Sequence, residues 1–201
     1  MAGRRCEVCS HPLRDAAGCG NPICGWSDRG VRRVYAIAEK TGAIDRVVKA
    51  FKYADRPTAW SMILGRLVFG WLDANFSNDD YDLIVANPTH ESRLVRHTEL
   101  ILAAASREDQ LGEWHFAPEA LVKMAETSKS ANGSWRAKWD AAQELYDVVH
   151  PADALDLRGA KVLVVDDVTT TLAQLHVVGN ILKRAGAAEV DGLVIARQVR
   201  R

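Results

Sequence analysis

Four apolar residues in succession, Val162 to Val165, closed by two adjacent carboxylates and then by three threonines, can be buried in few ways. A short run that is apolar at every position suits a strand covered on both faces, which points to the centre of a parallel sheet. Leu172, Leu175, Val178, Ile181 and Leu182 then recur at helical spacing, with Lys183 and Arg184 in the last turn and Gly186 placed to cap it. The stretch from Lys161 to Ala187 therefore predicts a strand, an acidic turn and a helix, the repeating unit of an α/β fold.

The same order of residues has a chemical use. Backbone amides and hydroxyls at the start of a helix can surround a phosphate, and the helix dipole favours the anion there. Val168, Thr169, Thr170 and Thr171 lie at that position. Asp166 and Asp167 can hydrogen-bond the paired hydroxyls of a ribose, directly or through Mg²⁺ and water. A pyrophosphate-bearing ligand calls for such a cation, because it neutralises oxygens on which leaving-group charge develops. The plainer alternative makes Asp167 a helix cap and the threonines ordinary turn residues.

A second strand is expected at Leu83 to Ala86, ended by Pro88, with Leu94, Leu100, Ile101 and Ala104 on the buried face of the next helix. The end of a parallel strand is a favoured ligand position, so Asn87, Thr89, His90 and Arg93 are candidate contacts. Ordinary Asn-Pro turn chemistry, with His90 as a cap or a solvent group, explains the segment equally. Upstream, Val34 to Glu39 suits an initial strand or a hairpin arm. Ile44, Val47, Val48 and Phe51 mark a helix that turns Lys49 and Lys52 outward. Pro57 opens another, with an apolar stripe of Trp60, Ile63, Leu64, Leu67, Val68, Trp71 and Leu72. Lys49, Lys52 and Arg56 either guide an anionic ligand or simply rim an amphipathic helix.

Ser128 to Ser134 reads as a turn, with Asn132 and Gly133 permitting unusual backbone, followed by a helix from Trp135 to Val149. Such a segment could carry Lys129, Arg136 or Lys138 toward a phosphate, or form a surface loop. Trp135 and Trp139 are spaced to share one helix face, where core packing is expected.

All four cysteines, Cys6, Cys9, Cys19 and Cys24, precede residue 25. Four thiolates satisfy a tetrahedral zinc ion, and CEVC supplies half of such a site. Disulfides are the alternative, but nothing in the sequence suggests secretion. A complete set of sulfur ligands leaves no open position, so the metal would staple the segment and perform no chemistry, with His11 outside the ligand set.

Charge balances to zero over the 201 residues, yet its sign is uneven. Met1 to Arg56 carries 11 Lys and Arg against 6 Asp and Glu, whereas Asp73 to Asp156 carries 7 against 16. Two solvated faces explain this; so would a positive N-terminal part meeting nucleic acid or another anionic partner. No apolar run approaches the roughly 20 residues of a membrane span, and no apolar segment follows the first arginines, so no membrane insertion and a cytoplasmic location are expected.

Taken in order, the cysteine cluster, FKYADR at Phe51 to Arg56, VANPTHESRL at Val85 to Leu94 and VLVVDDVTTT at Val162 to Thr171 resemble the successive landmarks of the ComF family of phosphoribosyltransferase-fold proteins, in the type I phosphoribosyltransferase superfamily. The resemblance implies a small four-cysteine zinc-binding module over residues 1–30 and an α/β domain over 31–201, a parallel sheet flanked by helices. It implies that 5-phosphoribosyl 1-diphosphate is bound with Mg²⁺. Asp166 and Asp167 would be the catalytic, ribose-contacting carboxylates, and Val168, Thr169, Thr170 and Thr171 the 5-phosphate pocket. Ala86, Asn87, Pro88 and Thr89 would form the pyrophosphate loop, with His90 and Arg93 beside it. The implied reaction transfers the phosphoribosyl group to a nitrogen acceptor and releases pyrophosphate; no general base stands out, and His90, His97, His115 and His176 are expected in structural or surface roles. Some relatives associate with DNA uptake and single-stranded DNA, which implies a DNA or DNA-uptake protein partner. The chain departs from the family pattern at Leu172, where glycine is usual, at Gln174, where a hydroxyl is usual, and at VRHTEL, Val95 to Leu100. A catalytically inactive DNA-associated or regulatory binding module is the alternative.

Overall fold

Alternation along the strands shows how the chain divides its apolar residues. Val162 and Val164 face one hydrophobic cluster, and Leu163 and Val165 face a second on the opposite side. Val85 against Ile84, and Val194 against Leu193 and Ile195, divide the same way. A strand that is apolar at every position is thereby buried on both faces, the condition for a covered parallel sheet.

A computed structural model describes residues 4–13, 18–53, 57–126, 134–152 and 155–199. Five strands form the sheet: β1 (Val34–Glu39), β2 (Leu83–Ala86), β3 (Phe116–Ala117), β6 (Lys161–Thr169) and β7 (Glu189–Arg197). Their order is β1-β7-β6-β2-β3, with every pairing parallel. Val34 to Glu39 is thus an edge strand beside β7 rather than a hairpin arm, since Val34 pairs with Gly192 and Glu39 with Arg197 in parallel register. The protein is an α/β structure with helices on both faces of this sheet. Among the described residues, no helix is long and apolar enough to cross a membrane.

On one face lie α1 (Gly42–Tyr53), α2 (Pro57–Asn75) and α3 (His97–Glu108). Phe51, Leu64, Val68, Leu72, Ile101 and Leu102 from these helices bury against Ile84, Leu163 and Leu193. Gly65 lets α2 close on α3: a Cβ there would come within 2.5 Å of the Ala104 Cβ. The expected α2 stripe is shifted, because Ile63 is 54% exposed and Leu67 is 37% exposed, while Ser61 and Gly65 turn inward with Leu64 and Val68. Small residues at the crossing determine which face approaches closest. Leu94 precedes α3 and is fully exposed, so it is not part of that helix's buried face.

The other face carries α4 (Trp135–Gln143), α5 (Leu145–Val148) and α6 (Ala173–Arg184), with an antiparallel ribbon of β4 (Leu121–Lys123) and β5 (Val149–Pro151). The single helix expected from Trp135 to Val149 is therefore broken. Val149 is buried and pairs with Lys123, so the ladder to β4 takes the residue that would have extended the helix. The N-terminal segment packs on this face too, and Cys9, Ile23 and Val31 share one core with Val34, Val164 and Leu175. Trp26 meets Trp139 and Trp135 edge-on at 4.7 and 5.4 Å, and those two rings stack at 5.7 Å.

His176 belongs to this packing. Its Nδ1 accepts the Val31 N–H at 3.3 Å, and burial lowers it to about 3, so it remains neutral. At the opposite end of β7 from Arg197, buried Asp191 accepts from Arg32 at 2.8 and 3.2 Å, from the Arg33 N–H at 3.1 Å and from the Tyr81 hydroxyl at 2.9 Å. A buried carboxylate is tolerable because donors surround it.

Candidate functional site

Connectivity singles out one place on the sheet. From β2 the chain passes through α3 to β3 on one side, and from β6 it passes through α6 to β7 on the other. The two helices lie on opposite faces, so a crevice opens at the carboxyl ends of β2 and β6, the topological switch point where ligands of open α/β sheets bind.

Asp166 and Asp167 stand there. They lie inside β6 rather than in a turn after it, because Asp166 pairs with Val194, Val168 with Ala196 and Thr169 with Arg197 across the longer neighbour β7. On the β2 side the ladder stops at Ala86, and the Asn87 N–H donates to the Val165 carbonyl at 2.8 Å. One edge of the acidic segment is thus held by β7 while the other faces the crevice. Both carboxylates are buried, at 8% and 6% exposure. Burial, followed by the charge of Asp167, pushes Asp166 up to about 7; Lys52, the Asp167 N–H and the Asn87 side chain pull the other way. The Asp167 N–H donates to Asp166 Oδ1 at 2.9 Å.

Lys52 reaches the pair from the last turn of α1, with Nζ 2.7 Å from Asp167 Oδ2. Of the two readings of this lysine, guide for an anion or rim of a helix, the structure places it in the acidic crevice. Lys49 instead pairs with Asp45 at 2.7 Å on the surface. Arg56 and Lys129, with Asn132 and Gly133, lie outside the described residues. His97 stacks edge-on against Phe51 at 4.9 Å and is lowered by burial, with Asp167 acting in the opposite sense.

Thr169 to Ala173 make the turn into α6. Thr169 Oγ1 accepts the Leu172 N–H at 3.2 Å, and Thr171 Oγ1 accepts the Ala173 N–H at 3.4 Å. Neither acid caps the helix. A cavity of about 190 Å³ adjoins the turn, lined by Asp166, Thr169, Thr170, Thr171, Gln174 and Lys138. Lys138 reaches this cavity, whereas Arg136 pairs with Asp140 at 3.1 Å on the exposed side of α4. Leu172 has φ +69°, the left-handed conformation that favours glycine, and its side chain is buried in the core with Ala173 and Leu175. Its bulk points into the protein.

The loop after β2 is more committed than its sequence implies. Pro88 has no N–H, the Asn87 N–H is held by Val165, and the Thr89 N–H donates to buried Glu99 at 2.7 Å. The Asn87 side chain hydrogen-bonds Asp166, and the Thr89 hydroxyl and Arg93 are further groups this loop can offer a ligand. His90 bridges Ser92 Oγ at 2.8 Å and the Met124 carbonyl at 3.3 Å, which ties the loop to the residue that follows β4. Nothing in the sequence sets Glu99 apart from the other acids, and only packing brings it to the Thr89 amide.

Cys6, Cys9, Cys19 and Cys24 converge, their sulfurs all lying within 4.8 Å of one another. The Cys9–Cys19 and Cys6–Cys24 pairs are 3.4 and 3.8 Å apart. Tetrahedral ligation at Zn–S distances near 2.3 Å requires sulfurs about 3.8 Å apart, so the four could hold a metal such as zinc. The sulfurs act on one another directly: the thiol of Cys24 holds Cys9 well below its ordinary value, while Cys9 raises Cys24. All four are free of disulfides. A second cavity, of about 370 Å³, lies between this segment and the turn, lined by His11, Asn21, Trp135, Thr170, Thr171 and Gln198.

No protein-family model matches the chain, and no curated protein matches its sequence.

Proposed function

We propose that this protein binds 5-phosphoribosyl 1-diphosphate on a type I phosphoribosyltransferase scaffold of the ComF kind. The observation that carries the reading is the burial of Asp166 and Asp167 at the switch point, separated only by Val168 from a threonine turn that opens a helix. Anion affinity of a helix start and diol affinity of paired carboxylates then lie along one strand end, the combination a ribose 5-phosphate would use. The Asn87 amide, the Thr89 hydroxyl and Arg93 border the side on which a diphosphate at C1 would lie. Asp166 and Asp167 would hold a Mg²⁺ ion bound with the ligand, which would supply positive charge to offset the negative charge developing on the departing oxygens. Zinc in the four-cysteine site would be structural.

Transfer would break the C1–oxygen bond to pyrophosphate and form a C1–nitrogen bond, the nitrogen giving up its proton to solvent or to the departing diphosphate. The chain's part is alignment and charge: the acid pair faces the developing positive ribose carbon, and Lys52 and Arg93 face anionic oxygens. A second reading, a noncatalytic binding module, is favoured by the loop amides already engaged at Asn87 and Thr89. In that reading the positive N-terminal part meets single-stranded DNA.

Calorimetric titration of the folded, zinc-loaded chain with 5-phosphoribosyl 1-diphosphate and Mg²⁺ tests the proposal. Saturable binding that disappears in Asp166→Ala/Asp167→Ala is expected; no binding by the wild type rejects it. Pyrophosphate release in the presence of nitrogen acceptors separates the enzyme from the binding module.

A further inference from the structure

Arg197 closes β7 and is buried, with only 2% of its surface exposed, yet among the described residues it is paired with no carboxylate. Its partners are backbone carbonyls from two segments distant in sequence. Nε donates to the Cys9 carbonyl at 3.2 Å, and Nη1 donates to the carbonyls of Thr169, at 3.2 Å, and Thr170. A planar guanidinium can bridge such groups because its donors are fixed in one fork. Cys9 is one of the four converging sulfur residues, and the two threonines begin the turn beside the acid pair.

Two physical consequences follow from these contacts. A trans peptide sets the N–H opposite the preceding C=O. With the Thr169 and Thr170 carbonyls turned toward Arg197, the N–H groups of Thr170 and Thr171 are turned away from it. The charge also has a counterpart: four thiolates around a divalent ion leave about two net negative charges beside the guanidinium. A loaded cysteine site therefore favours the buried cation, and the cation in turn fixes the peptide planes of the turn.

We propose that Arg197 is a positioning residue that couples the cysteine cluster to the threonine turn, so that a metal bound by the cysteines strengthens anion binding at the turn. The anion-binding half rests on the function proposed above; the mechanical half does not. The test uses the full chain, zinc-loaded and chelator-stripped, as wild type, Arg197→Met and Arg197→Lys. One readout is amide hydrogen exchange at Leu172 and Gln198, whose N–H groups are bonded to Thr169 Oγ1 and to the Thr169 carbonyl. The other is titration with inorganic phosphate. Stripping zinc from the wild type is expected to speed exchange at both amides and to weaken phosphate by about tenfold, within the usual range of coupling between sites. In Arg197→Met, exchange is expected to be fast already and phosphate affinity to be indifferent to zinc. Arg197→Lys keeps the charge without the fork and should retain only part of the response, which also serves if the methionine variant fails to fold. Unchanged exchange at Leu172 and Gln198 on stripping, or an equal zinc response in wild type and variants, overturns the coupling. Absence of phosphate binding by the loaded wild type rejects the anion half of the proposal, the proposed function being decided separately by the titration with 5-phosphoribosyl 1-diphosphate, and the exchange data alone then decide the mechanical half.

Discussion

The ammonium of Lys52 lies 2.7 Å from a carboxylate oxygen of Asp167, across the gap between the last turn of α1 and the end of β6. A lysine so placed stands where a divalent cation would be drawn, and it makes an otherwise repulsive pair of buried acids tolerable. Replacement by methionine, which keeps the stem, leaves Asp167 without its ion partner. Lys52→Met is expected to lower stability at pH 7 by about 1–3 kcal/mol in denaturant titration. The same variant should bind Mg²⁺ more tightly in the absence of other ligands, since no ammonium competes; weaker Mg²⁺ binding by isothermal titration would contradict this arrangement.

Asp166 gives the fold an unusual pH response. Its carboxyl is raised from 3.8 to about 7 by burial and by Asp167, so the folded chain holds the proton more tightly than the unfolded chain. The group therefore opposes folding in full above about pH 7, less as pH falls through that value, and not at all below its unfolded value. Asp166→Asn should raise stability at pH 8 by on the order of 2–4 kcal/mol, with the advantage fading by about pH 4. Thermal unfolding of both proteins across that range measures it, and a constant difference at all pH values would refute the assignment.

Leu172 combines a costly backbone with a favourable side chain. Its φ of +69° suits glycine, while its side chain fills the core at 1% exposure. Leu172→Gly gains the backbone and loses the burial, for a net loss of about 2–3 kcal/mol. Leu172→Ala loses the burial without relieving the backbone and should be less stable than the glycine variant by about 1 kcal/mol. Because the side chain faces inward, phosphate affinity in the glycine variant should stay within about twofold of wild type. A large gain would show that leucine obstructs the turn after all.

Metal loss should be felt well beyond the cysteines. Cys9, Ile23 and Val31 belong to the core under α6, and Trp26 packs against Trp135 and Trp139. Chelation, or Cys9→Ser, is expected to lower the melting temperature by about 10 °C, roughly 3 kcal/mol for a chain of this size. Tryptophan emission should shift as Trp26 leaves its neighbours, and the shift should shrink in Trp26→Phe. Unchanged melting on complete metal removal would make the cluster dispensable.

The local order of β6 and α6 is written in their residues: an apolar run, two acids, three threonines and a helical stripe are adjacent in the chain, and adjacency makes their chemistry readable. The CEVC half-site is legible for the same reason, as is the strand before Pro88. Positions that depend on distant segments are not. Where β6 ends was decided by the length of β7, which carries the ladder on to Thr169. The stripe of α2 was phased by Gly65 and Ala104 at a helix crossing, and the helix expected to run to Val149 breaks at Glu144 and gives up Val149 to pairing with β4. Lys52 on Asp167, Glu99 on the Thr89 amide and Arg197 between Cys9 and the threonines each join residues far apart in sequence. A sequence fixes the donors and acceptors a chain can offer; which of them are desolvated together, and so must satisfy one another, is settled only when the elements pack.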